Sequence, residues 1–144
     1  MNIRKASTRD FVKIAKIMLE EFGKPPFKDK APLRNVLKTL KFYNRIGVVL
    51  VLELEQRIIG SVIFKVEQYW KGRVIIIEDL VVDSKFKKDD FESFILRNVE
   101  KYAKKKNVKT IYFFTHKKSP SLNKYKKIGY REDKTTIFMH KNLK

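Results

Sequence analysis

The sequence predicts an α/β (α+β) fold, a single domain in which helices flank one mixed, twisted β-sheet. Two observations favour this fold class. Three strand-like runs in the middle of the chain are joined by short turns, which is typical of an antiparallel meander. A helical run and a short apolar run follow, and this strand–helix–strand unit implies a parallel pair with a right-handed crossover. We therefore expect about six to seven strands and about four helices.

The N-terminal part of the chain predicts a short strand at residues 3–5 and then two helices. Thr8 can cap the first helix, because its hydroxyl oxygen can accept a hydrogen bond from a free backbone N–H group. Gly23 and the Pro25–Pro26 pair end this helix, and Pro32 begins the second one. Each helix has one apolar face at helical spacing. The faces consist of Phe11, Ile14, Ala15, Met18 and Phe22 in the first helix and Leu33, Val36, Leu37 and Leu40 in the second.

The middle of the chain predicts the three strands of the meander. Residues 47–54 are rich in Val and Leu and indicate a buried strand. Residues 58–69 and 74–82 form two further strand-like runs, and both are long. The connections between the three runs are short, so neighbouring strands should pair with each other in antiparallel fashion.

The last third of the chain predicts two helices and three more strands. A helix is expected from about residue 90 to residue 106, followed by an almost wholly apolar strand at residues 110–114. A short helix should begin at Ser119–Pro120, because proline is favoured in a first helical turn, and end at Gly129. Two final short strands are expected near Tyr130 and over residues 137–140.

Length and composition exclude several classes of protein. A chain of 144 residues fits one domain with a buried core. The absence of cysteine excludes disulfides and thiolate metal sites, and the two histidines, His116 and His140, are far apart, so we expect no metal. The longest apolar run, Ile46–Leu52, is too short to span a membrane, and residues 1–11 lack the apolar segment of a signal peptide. These features favour a cytoplasmic protein without a membrane partner.

The charge of the chain is strongly positive and unevenly distributed. The formal net charge is +18, and residues 101–144 contribute +12 of it, from 14 basic and two acidic residues. Such a skew can mark a surface for nucleic acid or for an acidic substrate. An excess of Lys without Cys, however, also suits the surface of a thermophile protein. Because we do not expect exposed aromatic residues interleaved with the lysines, as a single-strand binder would have, we do not expect nucleic acid as the main partner, although the charge leaves it open.

Two motifs and the order of the elements point to a known family. The segment IEDLVVDSKF covers Ile77–Phe86, and YKKIGY covers Tyr125–Tyr130 with the pattern Tyr-x-x-x-Gly-aromatic. Together they resemble the GNAT superfamily of acyl-CoA-dependent N-acyltransferases. The IEDLVV segment is most similar to the fourth strand of members that acetylate polyamines and amino-sugar phosphates. The resemblance runs from IRKAS near the N-terminus to FMHKNL at the end, so residues 1–144 should form one GNAT-like domain.

The resemblance implies a reaction and the place where it occurs. In this family the fourth and fifth strands splay apart, and acetyl-CoA enters the gap between them. Backbone groups of the fourth strand, here Leu80, Val81 and Val82, would hold the pantetheine arm. An amine then attacks the thioester directly. The implied function is an N-acetyltransferase that acts on an amine of a small molecule or a protein.

The resemblance also implies two catalytic residues. Glu78 lies at the strand position of the family's general base or water-positioning group, and Asp79 is expected on the opposite face because side chains alternate along a strand. Tyr125 matches the tyrosine that supplies a proton to the leaving thiolate. For the two acids, pairing with lysines on a half-exposed strand is the alternative. For Tyr125 the alternative is a place in the core with its hydroxyl bonded to the backbone.

The expected phosphate-binding loop departs from the family pattern, which is Arg or Gln, two residues, Gly, one residue, and Gly or Ala. The aligned residues are Lys87, Lys88, Asp89, Asp90, Phe91 and Glu92, and they are the candidate pyrophosphate-binding residues. Lys87 keeps the cation, but Asp90 and Glu92 replace the small residues. At about 4 Å, two like charges repel by roughly 4 kcal/mol at an effective dielectric of 20. Asp89 and Glu92 also have the spacing of a capping box, which would satisfy the helix start internally.

Three further residues are candidates for the site. Lys118 lies where the family often has Asn and could contact a CoA phosphate as a point charge. Phe27, within residues 24–31, and Trp70 could line the acceptor pocket, although core or surface positions suit both. The acidic loop leaves an alternative function open. The protein could be a degenerate GNAT-fold member that no longer binds acetyl-CoA and acts as a binding or regulatory module, through its basic C-terminal third.

Overall fold

The computed structural model describes residues 1–86 and 89–143, so the predicted phosphate-binding residues Lys87 and Lys88 lie outside the described residues. Its centre is a five-stranded mixed sheet in the order β1-β2-β3-β4-β5. The first four strands pair antiparallel with their neighbours, and β5 pairs parallel to β4. The strands are β1 (Asn2–Lys5), β2 (Val48–Leu54), β3 (Arg57–Tyr69), β4 (Gly72–Val82) and β5 (Ile111–Phe113).

In residues 1–86 and 89–143 four α-helices flank the sheet, which confirms the predicted mixed fold. A single-turn 3-10 helix at Thr8–Asp10 precedes the first α-helix, so Thr8 lies inside this turn and does not cap an α-helix. A second 3-10 turn, Ser84–Phe86, follows β4. The helices are α1 (Phe11–Phe22), α2 (Leu33–Ile46), α3 (Phe91–Lys105) and α4 (Leu122–Lys127). No helix in the described part of the chain is both long and apolar enough to cross a membrane.

Apolar side chains cover both faces of the sheet and form two cores. One core packs α3 against residues such as Phe64, Ile75 and Ile77 of the central strands. The other core packs α1 and α2 against the opposite face, including Ile63 and Val81. Because side chains alternate along a strand, neighbouring residues such as Ile63 and Phe64 contribute to different cores. The central strands are therefore buried on both faces, which explains their nearly continuous apolar sequence.

The two predicted C-terminal strands are wrong, and among the residues that the structure describes the sheet has five strands instead of about six to seven. Within residues 130–143 the structure contains no strand. Asp133 accepts hydrogen bonds from the backbone N–H of Thr135 at 2.8 Å and from the Thr136 hydroxyl at 2.9 Å. These local bonds compete with a ladder for the same stretch of chain. The apolar residues expected to pair with the sheet are exposed instead: Ile137, Phe138 and Met139.

Candidate active site

The candidate site lies at the gap between β4 and the chain that follows β5. The two strands pair only between Ile75–Ile77 and Ile111–Phe113. Beyond this ladder β4 continues to Val82, whereas the chain leaves the sheet after Phe113. Within the described ranges, the edge of residues 78–82 that faces β5 therefore has no neighbouring strand. An unpaired strand edge presents backbone N–H and C=O groups that can bind an extended ligand.

A cavity of about 370 Å³ lies at this gap. Residues 77–82 of β4 line it together with residues 113–116, which follow β5. Tyr125 of α4 and Glu92 from the first turn of α3 also contribute to its wall. The beginning of α3 thus borders the opening between the two strands, as the motif in the sequence predicts.

The cavity is acidic although the whole chain has a formal net charge of +18. Among the described residues that line it there are five carboxylates and neither Lys nor Arg. An acidic wall in a basic protein favours a positively charged ligand over a negatively charged one. The five acids are Glu21, Asp29, Glu78, Asp79 and Glu92.

A bulge in β4 changes the directions in which Glu78 and Asp79 point. The β3–β4 register pairs Ile63 with Asp79 but Phe64 with Ile77, so Glu78 is an extra residue on β4. Paired residues share a face of the sheet, which places Asp79 with Ile63 on the α1–α2 face. Glu78 forms an ion pair with Lys65 at 3.3 Å, and the Lys65 Nζ lies 5.9 Å from the ring centre of Tyr43 in α2. Both acids therefore lie on the same side, and the expectation that alternation separates them is wrong.

Asp79 is a carboxylate without a compensating partner. No hydrogen bond or ion pair reaches its side chain from any described residue, whereas Glu78 is paired with Lys65. Burial raises the pKa of Asp79 to about 6, and the negative charges of Glu78 and Asp29 act in the same direction. A carboxyl group with this pKa is ionised at neutral pH and is a stronger base than an ordinary aspartate.

Tyr125 is buried in the wall of the same cavity, with 8% of its surface exposed. Its ring packs edge-on against Phe113, with ring centres 5.1 Å apart, so the aromatic body belongs to the core around α3. Burial raises the pKa of Tyr125 to about 12, and the negative charge of Glu92 adds to this effect. Tyr125 is therefore protonated at neutral pH, so its hydroxyl can donate a hydrogen bond into the cavity.

The beginning of α3 is capped by Asp90, not by Asp89. The Asp90 carboxylate accepts hydrogen bonds from the Ser93 backbone N–H at 3.2 Å and from the Ser93 hydroxyl at 2.6 Å. Partial burial favours the neutral acid, but the bonds from Ser93 outweigh it and lower the pKa of Asp90. The predicted capping box between Asp89 and Glu92 is wrong, because Glu92 turns inward to the cavity. An internal carboxylate nevertheless occupies one of the free N–H groups at the helix start, as expected.

Glu92 is the most buried acid at the helix start, with 6% of its side chain exposed. Its Oε2 atom accepts no hydrogen bond from any described residue, although the Lys124 Nζ lies 3.6 Å away. Leaving a buried carboxylate oxygen without a hydrogen bond costs about 1–3 kcal/mol, and the ion pair with Lys124 offsets part of this cost. Glu92 therefore places a buried carboxylate where the sequence alignment expects a phosphate.

The other predicted cofactor-binding residues occupy different places. Leu80, Val81 and Val82 line the cavity on the unpaired part of β4. Phe91 is 7% exposed and belongs to the core around α3, so its side chain does not line the cavity. Asp89 and Lys118 are exposed and are also not part of the cavity wall.

The loop between α1 and α2 contributes residues that the sequence singled out only in part. Phe27 lines the cavity as predicted, and its ring contacts His116 edge-on, with ring centres 6.1 Å apart. This contact joins the α1–α2 loop to the segment after β5. Asp29 and His116 also line the cavity but were not predicted, because neither lies in a motif and only the tertiary structure brings them to β4. Trp70, in contrast, lies before Gly72 at the other end of β4, roughly 20 Å or more along the strand from Asp79.

Two parts of the site differ in how well they fit a pantetheine thioester. The unpaired edge of β4 and the open gap fit the extended arm, because they offer backbone hydrogen-bonding groups beside a cavity. The start of α3 fits a pyrophosphate poorly, because Asp90 occupies the Ser93 N–H and Glu92 adds a second carboxylate, which is buried. The geometry thus suits an extended arm but offers no open phosphate cradle among the described residues.

Comparisons with known proteins agree with this geometry. Residues 11–130 match the family model described as Acetyltransferase (GNAT) family. No curated protein sequence matches the chain. The fold is similar to a possible acetyltransferase from Clostridium difficile 630, with a TM-score of 0.85 and 15% identity over 99% of this chain and 98% of that one.

Two further solved structures share the fold. A predicted acetyltransferase from Clostridium acetobutylicum, solved with acetyl-CoA, has a TM-score of 0.76 and 19% identity over 96% of this chain and 95% of that one. An aminoglycoside acetyltransferase from an uncultured soil metagenomic sample, in complex with trehalose, has a TM-score of 0.78 and 17% identity, covering 99% and 96%. The match of the family model over most of the chain, on a fold with the splayed strands, shows that the protein belongs to the GNAT acetyltransferase family.

Proposed function

We propose that the protein transfers an acetyl group from acetyl-CoA to an amine. One observation carries the proposal: the cavity at the β4–β5 gap brings together an unpaired carboxylate, Asp79, and a protonated phenol, Tyr125. Acetyl-CoA, when bound, supplies an activated acyl thioester and a thiolate leaving group. The unpaired backbone of Leu80–Val82 would hold its pantetheine arm.

Asp79 would accept the proton that the amine must lose before it can attack. An ammonium group has no lone pair, so its deprotonation next to the thioester is required for the reaction. Asp79 suits this role because its raised pKa, about 6, lies nearer to neutrality than that of an exposed aspartate. Glu78, predicted as the base from the sequence, lines the same cavity but is paired with Lys65. We therefore assign Glu78 the role of a supporting charge that raises the basicity of Asp79.

Tyr125 would stabilise the sulfur that departs. With a pKa of about 12, its hydroxyl is a weaker acid than a thiol, whose ordinary pKa is about 8.5. Complete proton transfer to the thiolate is therefore uphill at this position, while donation of a hydrogen bond is not. We assign Tyr125 the role of a hydrogen-bond donor to the developing thiolate, with the final proton taken from solvent.

The acceptor would approach from the side of the cavity that contains Asp29 and Phe27. Most amines are ammonium ions at neutral pH, and the acidic wall attracts this form into the cavity. The rings of Phe22 and Phe27, with centres 5.5 Å apart, add an apolar surface for the carbon skeleton of the amine. These features support a small-molecule amine, and a flexible lysine or N-terminus of a protein offers the same chemistry.

The test is an acetyl-transfer assay with a panel of amines, run beside thermal denaturation with acetyl-CoA. We expect turnover with at least one cationic amine, a loss of about 100-fold or more in kcat for Asp79→Asn, and a smaller loss for Tyr125→Phe. Glu132→Gln, which removes an exposed acid in the C-terminal segment, is the matched control and should keep full activity. If Asp79→Asn retains the kcat of the unmodified protein, Asp79 is not the base.

A second candidate function follows from the helix start. Asp90 and Glu92 place two carboxylates where a pyrophosphate would bind, which favours a GNAT-fold protein that binds a ligand without acetyl-CoA. The double variant Asp90→Gly with Glu92→Gly separates the two functions. If the acids are the obstacle, this variant should bind acetyl-CoA and be stabilised by it, while the unmodified protein is not. Stabilisation of the unmodified protein by acetyl-CoA rules this second function out.

A further inference from the structure

A second groove lies at the opposite end of β4 from the cavity that contains Asp79. It has a volume of about 580 Å³ and is formed where the turn between β3 and β4 meets the chain that leads into β5. Residues 69–74 form one side, and Asn107, Lys109, Thr110 and Tyr112 form the other. The acetyl-transfer mechanism uses none of these residues, so the groove calls for a separate explanation.

Three aromatic side chains in this groove are exposed to solvent. Trp70 is 95% exposed, Tyr112 is 50% exposed and Tyr69 is 43% exposed. Large aromatic residues usually bury most of their surface, so three exposed rings around one groove indicate a surface that binds a partner. Tyr112 is distant in sequence from the other two, and the parallel pairing of β5 with β4 brings it next to them.

Three cations lie among these rings, namely Lys71, Arg73 and Lys109. The Lys71 Nζ lies 6.0 Å from the ring centre of Trp70, and an Arg73 Nη2 donates a 2.6 Å hydrogen bond to the Lys106 carbonyl. That bond holds the guanidinium at the groove and leaves its other N–H groups available. None of the described residues that line the groove is acidic. Aromatic and cationic groups are thus interleaved around this groove.

We infer that this groove binds single-stranded nucleic acid. Exposed rings provide flat faces on which unpaired bases can stack, and the neighbouring cations can contact the phosphates that join those bases. A duplex does not fit this description, because its bases are already stacked on each other. An acidic peptide would satisfy the cations but offers no flat base to Trp70. The +12 charge of residues 101–144, which begin beside the groove, adds a long-range attraction for a polyanion.

The first experiment uses the fluorescence of Trp70, which is the single tryptophan of the chain. The unmodified protein is titrated with oligouridylate and, separately, with oligothymidylate at several salt concentrations. We expect saturable quenching, and a plot of log affinity against log salt with a slope of about −2 if three phosphates are neutralised. Tighter binding of either oligomer identifies RNA or DNA as the source of the ligand. The absence of saturable quenching by both oligomers overturns the inference.

The second experiment separates stacking from general charge by following the anisotropy of a labelled oligonucleotide. Trp70→Ala should weaken binding about tenfold, and because Trp70 is almost fully exposed this change should not unfold the protein. The double variant Lys71→Ala with Lys109→Ala should make the salt slope shallower by about 1.4. Lys13→Ala with Lys16→Ala removes the same charge from an exposed face of α1 and is the control. Equal weakening by the two lysine pairs overturns the inference.

The third experiment tests other polyanions. Polyglutamate and a DNA duplex of matched charge should compete poorly with the single-stranded oligomer for the groove. If polyglutamate quenches Trp70 as well as the oligomer does, the groove is a site for acidic polypeptides and the inference fails. It fails equally if the duplex competes as well as the single strand, because stacking would then make no contribution. All of these measurements are independent of acetyl transfer.

Discussion

At the scale of single residues, the environment of Asp79 has consequences for stability as well as for the proposed catalysis. Its pKa is raised from 3.8 to about 6, so folding favours the protonated form. Below about pH 4 the carboxyl is protonated in both the folded and the unfolded state, and its burial has no charge cost. As the pH rises through about 6 the folded state must hold the charge, and the stability contributed by the protonated form is lost.

Asp79→Asn should therefore stabilise the protein at neutral pH while it removes activity. Raising the pKa from 3.8 to about 6 corresponds to roughly 3 kcal/mol, and partial exposure reduces the expected gain in unfolding free energy to about 1–2 kcal/mol. The gain should disappear near pH 4, where the aspartate of the unmodified protein is neutral. Denaturant unfolding at both pH values measures it, with Glu132→Gln as the control. A variant less stable than the unmodified protein at neutral pH would contradict the environment described for Asp79.

The same residues show what sequence can and cannot predict about a site. The family resemblance predicts Glu78, Tyr125 and Leu80–Val82 at the site, and these residues line the cavity. For the residues of β4 the motif suffices, because a strand carries its residues in fixed order along the gap. Strand alternation gave the wrong face for one acid, because the bulge at Glu78 depends on pairing with β3 and leaves no local signal. Asp29 and His116 reach the cavity only through tertiary packing.

At the scale of elements, the beginning of α3 combines a structural role with a cost for binding. Asp90 stabilises the helix through its bonds to Ser93, and an N-cap of this kind contributes about 1 kcal/mol. The same carboxylate occupies an N–H group that an anion could otherwise use. Stability of the helix and affinity for a phosphate therefore oppose each other at this position.

Asp90→Ala should lower the free energy of unfolding by about 1 kcal/mol and raise the affinity for acetyl-CoA. Asp89→Ala is a matched control, since it removes the same charge one residue earlier from an exposed side chain that does not cap α3. Calorimetric titration and chemical denaturation measure the two effects. If Asp89→Ala changes both quantities as much as Asp90→Ala does, net charge and not the cap controls them.

The C-terminal segment offers a second prediction at this scale. Residues 132–143 are exposed, so a chain that ends at Arg131 should keep its fold and lose no more than a few degrees in Tm. A chain that ends at Gly129 also loses Tyr130, whose hydroxyl donates a 3.2 Å hydrogen bond to Glu100 and whose ring contacts Phe113. This shorter chain should be clearly less stable. Equal and large losses for both chains would show that the final residues pair with the sheet, as their sequence suggested.

At the scale of the whole molecule, the predicted architecture holds because it follows from patterns that extend over many residues. The three apolar runs of the meander and the amphipathic α1, α2 and α3 each repeat one signal several times, and the helices and strands formed there. The errors fall in short segments. The stretch around Ile137–Met139 has the composition of a strand, but a strand forms only where a neighbouring edge accepts it, and composition does not encode that edge.

The charge of the molecule predicts an effect of salt on the reaction. The net charge of +18 repels a cationic amine at long range, while the carboxylates of the cavity attract it at contact. Raising the ionic strength to about 0.15 M shortens the screening length to about 8 Å, which weakens the long-range repulsion more than the contact attraction. We expect kcat/KM for a doubly charged amine to rise over this range, and to rise less for a singly charged one. A steady fall of kcat/KM with salt for both amines would show that the protein attracts the amine at long range as well as at contact.

The short length of β5 determines how much of the β4 edge is left unpaired for a ligand. Its parallel ladder with β4 covers only Ile75–Ile77, and the gap between the strands begins where that ladder ends. Each additional residue paired beyond Phe113 would shorten the unpaired edge of β4 by about 3.3 Å. Two such residues would pair the backbone of Glu78 and Asp79 with β5 and leave only Leu80–Val82 of β4 unpaired on that edge. The length of β4 backbone that is available to a ligand thus depends on how early β5 ends.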